Sequence, residues 1–239
     1  TTYTVTEIDE YETRYYQVVA EDHFGAQSFS TIQYGTSYIV FHKLVCENCS
    51  HHKTYFIIEY IDDGYIVAGD WLIKTDLQGD EEWSHNLNPS FQGFSARYGQ
   101  KTEDGGLIIV GTIYQNSTNR SDIKLTKTDA NGNEEWGQTY NFEDIDIPSH
   151  FQQTTDGGYI ITGYSYKDGG DDWALKLLKV DGNGDVEWTN SYAPYWRTSG
   201  KGVIQTPDGG YLIAANAYSY WNGDYTYKPM LMKTDENGD

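Results

Sequence analysis

An internal repeat constrains the fold of this chain more than any other feature of its sequence. Three segments superpose, at residues 102–136, 154–188 and 206–239, and a fourth at 61–83 matches them at both ends. The register is tight, because Trp83, Trp136 and Trp188 are 53 and 52 residues apart. A repeat of this length indicates a stack of similar units that bury their faces against one another.

Each unit is predicted to contain four short strands and no helix. A turn at Asp-Gly-Gly precedes an apolar run such as "YIITG", and an alternating run such as "DIKLTKTD" follows. The next turn, "ANGN" or "GNGD", contains Asn-Gly and predicts a type I′ hairpin, after which "EEW" or "VEW" opens the last strand. With 22 Tyr, 7 Trp and 25 Gly, the composition also favours strands and turns. The sequence therefore predicts an all-β chain, a β-propeller of four-stranded blades.

The repeat register divides this single domain into blades. Four blades are expected at residues 46–87, 88–140, 141–192 and 193–239, with a degenerate blade at 14–45. The last unit stops before its fourth strand, and residues 1–13 include an alternating strand without a blade of its own. We expect that strand to complete the last blade and close a ring of five, or to be donated to a neighbouring copy. The alternative is that the chain forms part of a ring of six to eight blades.

The pattern "DGGYIITG…DWALKLLKVDGNGDVEW" resembles the repeats of secreted and surface-anchored bacterial and archaeal β-propeller proteins, most of which have no assigned function. The resemblance covers residues 61–239 well and 14–60 poorly. The hairpin also resembles quinoprotein-type repeats, in which an Asp, a Gly and a Trp mark each blade, here Asp129, Gly132 and Trp136. The gap between Asp and Gly is one residue shorter than in that family. The resemblance implies a fold but no function.

The charge of the chain excludes several classes of partner. Sixteen Lys and Arg against 36 Asp and Glu give a formal charge of −20, which disfavours nucleic acid. No apolar run approaches the ~20 residues of a membrane-spanning helix. The opening residues carry no Met or leader, as expected after removal of a signal peptide, and N-x-[ST] sequons at Asn48, Asn116 and Asn119 fit a glycoprotein. We therefore expect an extracellular or cell-surface location.

Aromatic clusters provide the strongest indication of binding. The stretches "YAPYWR" (192–197) and "AYSYWNGDYTY" (217–227) fall where the repeat predicts loops between strands. Flat aromatic faces beside Asn, Asp and Ser suit sugar rings, whereas tyrosines that pack between blades would be structural. The candidate ligand-binding residues are Tyr192, Tyr195, Trp196, Tyr218, Tyr220 and Trp221.

Clustered carboxylates raise the question of calcium. Asp168, Asp171 and Asp172 lie in one loop, and Asp144 and Asp146 lie in another. Such clusters repel unless a cation lies among them, although an acidic chain also carries them on solvated loops. Calcium is the one cofactor that the sequence leaves open.

The acid of the Asp-Gly-Gly turn recurs in every unit, at Asp62, Asp104, Asp156 and Asp208. A catalytic pair is normally singular, so at least three of these four are predicted to be structural. The expected function is a non-catalytic binding or structural module for a glycan or a protein, including further copies of itself. The alternative is a glycan-active hydrolase or lyase with carboxylates at the propeller axis.

Both cysteines occur in "LVCENCSHH", residues 44–52. Haem attachment requires CxxCH, which this stretch misses by one residue, and a redox pair expects a strand-to-helix setting. A zinc site with His51 and His52 would be crowded, although a metal stays an alternative. The simplest interpretation is an extracellular disulfide between Cys46 and Cys49.

Overall fold

A computed structural model of the chain describes residues 3–10, 13–21, 27–29, 54–60, 64–87, 93–115, 120–167, 170, 172–221 and 224–239. Within these ranges every regular element is a β-strand, which confirms the predicted all-β class. None of the described residues forms a helix long and apolar enough to cross a membrane.

The strands follow the repeat. They are Tyr3–Glu10 (β1), Thr13–Glu21 (β2), Gln27–Phe29 (β3), Thr54–Tyr60 (β4), Gly64–Gly69 (β5), Trp71–Thr75 (β6), Glu81–Asn86 (β7), Phe94–Lys101 (β8), Leu107–Gln115 (β9), Arg120–Thr128 (β10), Glu134–Tyr140 (β11), Ile145–Gln153 (β12), Tyr159–Tyr166 (β13), Ala174–Val180 (β14), Val186–Tyr192 (β15), Arg197–Gln205 (β16), Tyr211–Trp221 (β17) and Asp224–Thr234 (β18).

Strands pair antiparallel with their neighbours in sequence, so that each repeat is one meandering sheet. We call these sheets unit I (β4–β7), unit II (β8–β11), unit III (β12–β15) and unit IV (β16–β18). Units II and III are joined by a single parallel bridge between Ser121 and Ile145. An equivalent bridge between Trp173 and Arg197 joins unit III to unit IV. The four-stranded unit predicted from the sequence is thus present in units I, II and III.

The core lies between the sheets, because the second strand of each unit is apolar on both faces. In β9, Leu107 and Ile109 pack against unit I, whereas Ile108 and Val110 pack against unit III. A strand that is buried on both sides must be a continuous apolar run, which explains "LIIVG". The third interface, between units III and IV, joins Ile160, Leu175 and Leu177 to Val203, Tyr211, Ile213 and Ala215.

The N-terminal strand pairs with the strand that follows it. β1 pairs with β2 from Tyr3 opposite Ala20 to Glu10 opposite Thr13, and β2 pairs with β3. The described partner of β18 is β17, and completion of the last blade by residues 1–13 stays a prediction. A hairpin with a short connection costs far less loop-closure entropy than pairing with a strand at the other end of the chain. Of the blade predicted at 14–45, β2 and β3 are described, and residues 30–45 lie outside the described part.

The hairpin turns also differ in type from the prediction. In unit II the carbonyl of Asp129 accepts from the Gly132 amide at 3.1 Å, and the Asp129 amide donates to the Asn133 carbonyl at 2.9 Å. The left-handed residue, Gly132 with φ of 80°, stands at the fourth position of the turn. This is the three-residue hairpin with a bulge, not the two-residue type I′ hairpin.

Candidate functional site

Buried lysines explain the repeated aspartates. In unit II, Lys127 Nζ lies 2.8 Å from Asp104 Oδ2 and 2.8 Å from Glu135 Oε2, and it donates to the Thr128 carbonyl. Lys127 therefore ties the Asp-Gly-Gly turn to the last strand of its own sheet. Hydrogen bonds from Lys127, Thr102 and Gly106 hold the pKa of Asp104 well below its usual value.

Unit III repeats this arrangement with Lys179, which lies 2.9 Å from Asp156 and 2.5 Å from Glu187. Burial by itself would raise the pKa of Asp156, but bonds from Thr154, Lys179 and Gly158 outweigh it and lower the pKa to about 2. In units II, III and IV, the repeated Asp is therefore a structural residue with a cation partner, which Lys233 provides for Asp208 at 2.9 Å.

The repeated tryptophans dock one unit on the next. Each Trp ring covers the left-handed glycine in the hairpin of the following unit: Trp83 covers Gly132, Trp136 covers Gly184 and Trp188 covers Gly238. Tyr140 adds a hydrogen bond of 2.7 Å from its hydroxyl to the Gly184 carbonyl. These aromatic residues therefore hold the units together.

A second group of aromatic side chains lies at the opposite end of the sheets, across units III and IV. We call it the aromatic ladder, and it consists of the aromatic residues Tyr164, Tyr166, Trp173, Trp196, Tyr218 and Tyr227 together with the cations Arg197 and Lys201. The Asp-Gly-Gly turns join β12 to β13 and β16 to β17, so the ends of β13 and β17 lie at the other edge. The ladder gathers at that edge, around the starts of β14, β16 and β18.

Rings stack along the ladder at short distances. The Tyr164 and Trp173 centroids are 4.9 Å apart with planes 19° from parallel, and Tyr166 stacks on Trp173 at 5.6 Å. The guanidinium of Arg197 lies 4.9 Å from the Trp173 ring and 4.5 Å from the Trp196 ring. The rings are therefore held in fixed orientations before any ligand arrives.

Unit IV extends the ladder outward. The Tyr218 ring packs edge to face against two neighbours, with its centroid 6.0 Å from that of Trp173 and 4.5 Å from that of Tyr227. Tyr227 is exposed. The backbone explains this meeting, since the Thr198 amide donates to the Trp173 carbonyl at 2.9 Å and fixes β16 beside the start of β14.

Cations and hydroxyls accompany the rings. Lys201 Nζ lies 5.4 Å from the Tyr164 ring, and burial lowers the pKa of this lysine. Burial raises the pKa of the Tyr164 phenol, so its hydroxyl stays protonated at neutral pH and is able to donate a hydrogen bond. The ladder thus combines aromatic faces and edges, hydroxyl groups and ammonium or guanidinium donors.

The structure places the predicted aromatic residues in two different settings. Trp196 and Tyr218 belong to the ladder, and Tyr195 is exposed in the loop beside them. Tyr192 does not, because its hydroxyl donates to the Gly238 carbonyl in the next hairpin, as Tyr140 does in unit II. Tyr220 pairs with Tyr225, and Trp221 with Asp224, in the backbone of the β17–β18 hairpin, and their side chains lie outside the described part.

Sequence reasoning missed Tyr164, Tyr166, Trp173 and Lys201, and it left Arg197 and Tyr227 off the candidate list although both lie in the quoted clusters. One signal was present for the first pair, since Tyr164 and Tyr166 alternate on one face of a strand. Trp173 carried no such signal, because it enters the ladder through contacts that cross from unit III to unit IV.

Of the three candidate calcium ligands that are described, Asp144 and Asp146 have other partners. Asp146 is fully buried and accepts from the Phe142 amide at 2.8 Å and the Glu143 amide at 3.2 Å. Burial raises the pKa of Asp146. Asp144 forms an ion pair of 2.8 Å with Arg120, and Asp172 is exposed. Over the part of the chain that the structure describes, no three His, Cys, Asp or Glu side chains form a metal-binding group.

Several predicted residues lie outside the described residues. They are Asp62, Asp168 and Asp171, the cysteines Cys46 and Cys49 with His51 and His52, and the sequon residues Asn48, Asn116 and Asn119.

Comparison with known proteins gives no family assignment. No protein-family model matches the chain, and no curated protein matches it.

Proposed function

We propose that this protein is a non-catalytic binding module whose aromatic ladder binds a glycan. The observation that carries the proposal is the fixed stack of Tyr164, Trp173 and Arg197, extended by Tyr218 to the exposed Tyr227. Sugar rings offer C–H faces to aromatic rings and hydroxyls to polar neighbours. Rings that are already ordered lose little conformational entropy on binding, which favours affinity.

The proposed location is outside the cell or on its surface. The resemblance of the repeats to secreted and surface-anchored β-propeller proteins supports this location, as do the sequons. A polysaccharide or a glycoprotein would be the natural source of such a ligand, and a protein surface is the competing partner.

The proposed architecture is a propeller in which units I to IV are successive blades. Its support is a shared irregularity in the first strand of units II, III and IV, where one extra residue forms a β-bulge at Arg97, Ser149 and Lys201. Equal bulges at equal register bend each innermost strand in the same way. A ring of five needs one more blade between unit IV and unit I, and a ring of six to eight needs more, contributed by this chain or by another copy of it.

Catalysis by a pair of axial carboxylates is the competing function. A glycosidase needs two carboxyl groups about 5–9.5 Å apart. Among the described first strands of units II, III and IV, Asp146 is the one carboxylate, and it is engaged with two backbone amides. No observation in the described part of the chain favours the hydrolase or lyase.

The proposal is tested by applying the protein to an array of immobilised oligosaccharides, with and without calcium. We expect binding to a defined set of glycans and its loss in Trp173→Ala. The matched control is Tyr98→Ala, which removes a partly exposed tyrosine of β8 outside the ladder and should bind as the native protein does. If Trp173→Ala melts as the native protein does and still binds the glycans, the aromatic ladder is not the binding site. If the native protein binds nothing on the array, the proposal that its ligand is a glycan is refuted.

A further inference from the structure

Unit IV presents an apolar face that lies open among the residues that the structure describes. Leu231 is 69% exposed, although Leu72, Leu125 and Leu177 occupy the same register in units I, II and III and are 0% exposed. Those three leucines each pair with the strand before them and pack against the following unit. Around Leu231, Ala214 and Pro229 are also exposed and Leu212 is half-buried, and all of these residues are apolar. We call Leu212, Ala214, Pro229 and Leu231 the trailing face.

Unit I presents the complementary face at the other end of the stack. Ile57 is 64% exposed, although Phe151 and Val203 occupy the same register in units III and IV and are buried. Tyr65 and Val67 are half-buried, although the residues equivalent to Val67 are Ile109, Ile161 and Ile213, all fully buried against the preceding unit. We call Ile57, Tyr65 and Val67 the leading face.

The two faces are the two halves of one interface, and the chain already forms that interface three times. In units I, II and III, the residues equivalent to the trailing face pack against the following unit. The residues that they contact there, in units II, III and IV, are equivalent to the leading face. The trailing face of unit IV therefore has the shape and polarity that fit a leading face. The described strands β1, β2 and β3 pair with one another and leave both Ile57 and Leu231 exposed.

We propose that a second copy of this chain covers the trailing face with its own leading face. The contact is head to tail, joins two different surfaces and continues the stack of units from one copy into the next. Such a contact produces a closed ring when the rotation per copy permits it and an open filament otherwise. It pairs faces and needs no exchange of residues 1–13 between copies. It is independent of the glycan proposal.

The test uses light scattering of the full chain after size-exclusion chromatography, over a range of concentrations. The native protein should form dimers or larger assemblies as its concentration rises. Leu231→Glu and Ile57→Glu should each remain monomeric, because every contact in a pure sample would include one altered face. An equimolar mixture of the two variants should form a 1:1 dimer, since each variant retains the face that the other has lost.

A control variant and a folding check make the result decisive. Val186→Glu adds the same charge at an exposed apolar position of β15, away from both faces, and should assemble as the native protein does. Both face variants replace exposed side chains and should melt at the native temperature when all samples are dilute enough to be monomeric. A monomeric native protein, or a mixture of variants that does not dimerise, would overturn the proposal. Assembly that begins only after removal of residues 1–45 would overturn it as well, because those residues would then be the occupant.

Discussion

The docking of a tryptophan on a hairpin glycine can be tested with two glycines that differ in one respect. Gly184 and Gly157 both have left-handed backbones, with φ of 83° and 86°. A Cβ added to Gly184 would lie 2.8 Å from Trp136 Cζ3 and 2.9 Å from Gln138 Cγ, whereas a Cβ added to Gly157 meets nothing within 4 Å. Alanine at either position therefore has the same backbone strain, and alanine at 184 alone collides with the neighbouring unit.

The expected magnitudes follow from these distances. A left-handed alanine costs about 1–2 kcal/mol, which is the whole effect expected for Gly157→Ala. Gly184→Ala should add about 1–3 kcal/mol for the overpacked contact, because an indole ring held between two sheets cannot move aside as the end of a flexible side chain does. The loss of unfolded-state entropy is the same for both substitutions and cancels in the comparison.

Urea unfolding of the two variants measures the difference directly, with the slope of free energy against urea checked for equality. Gly184→Ala should be the less stable variant. If the two free energies of unfolding agree within about 0.5 kcal/mol, the tryptophan does not depend on the absence of a side chain at 184 and the docking argument fails.

Three further predictions concern the buried charges. Lys179→Met should lower the free energy of unfolding by about 1–3 kcal/mol, because Asp156 and Glu187 lose their cation but keep partial contact with water; an unchanged urea midpoint would contradict this. The pKa of Asp156 is lowered in the folded state to about 2 from 3.8, so its contribution is present above pH 4 and lost as the pH falls towards 2. Urea midpoints from pH 6 to 2 should show that loss, and Lys179→Met should reduce it. Asp146→Ala should lower the free energy of unfolding by about 1–3 kcal/mol, because the Phe142 and Glu143 amides lose their acceptor. Asp146→Asn keeps one oxygen as an acceptor and should lower the free energy of unfolding by less than half as much. Equal losses of melting temperature in the two variants would exclude this role.

The strands could be predicted from the sequence because the repeat presents each signal several times. Apolar runs, alternating runs and glycine turns recur in register. Strands in a unit with a weak pattern can therefore be predicted by alignment with the other units. The predicted type of hairpin was wrong because Asn-Gly suggests a two-residue turn. Only the hydrogen bonds of Asp129 show that the turn has three residues and a bulge.

The aromatic ladder could be predicted only in part. Trp196 and Tyr218 occur in conspicuous clusters, but the ladder is completed by Trp173, which contributes from the neighbouring unit. Tyr192 occurs in the same cluster as Trp196, yet its hydroxyl holds a hairpin. Composition selects the candidates, and contacts between units decide which of them reach the surface together.

The indole signals of the seven tryptophans provide the most direct test of the glycan-binding account. In a nitrogen–proton correlation spectrum, a titration with an oligosaccharide selected on the array should shift the indole signals of Trp173 and Trp196. The signals of the docking residues Trp83, Trp136 and Trp188 should stay in place. Shifts confined to the docking tryptophans, or no shifts at saturating oligosaccharide, would contradict the account.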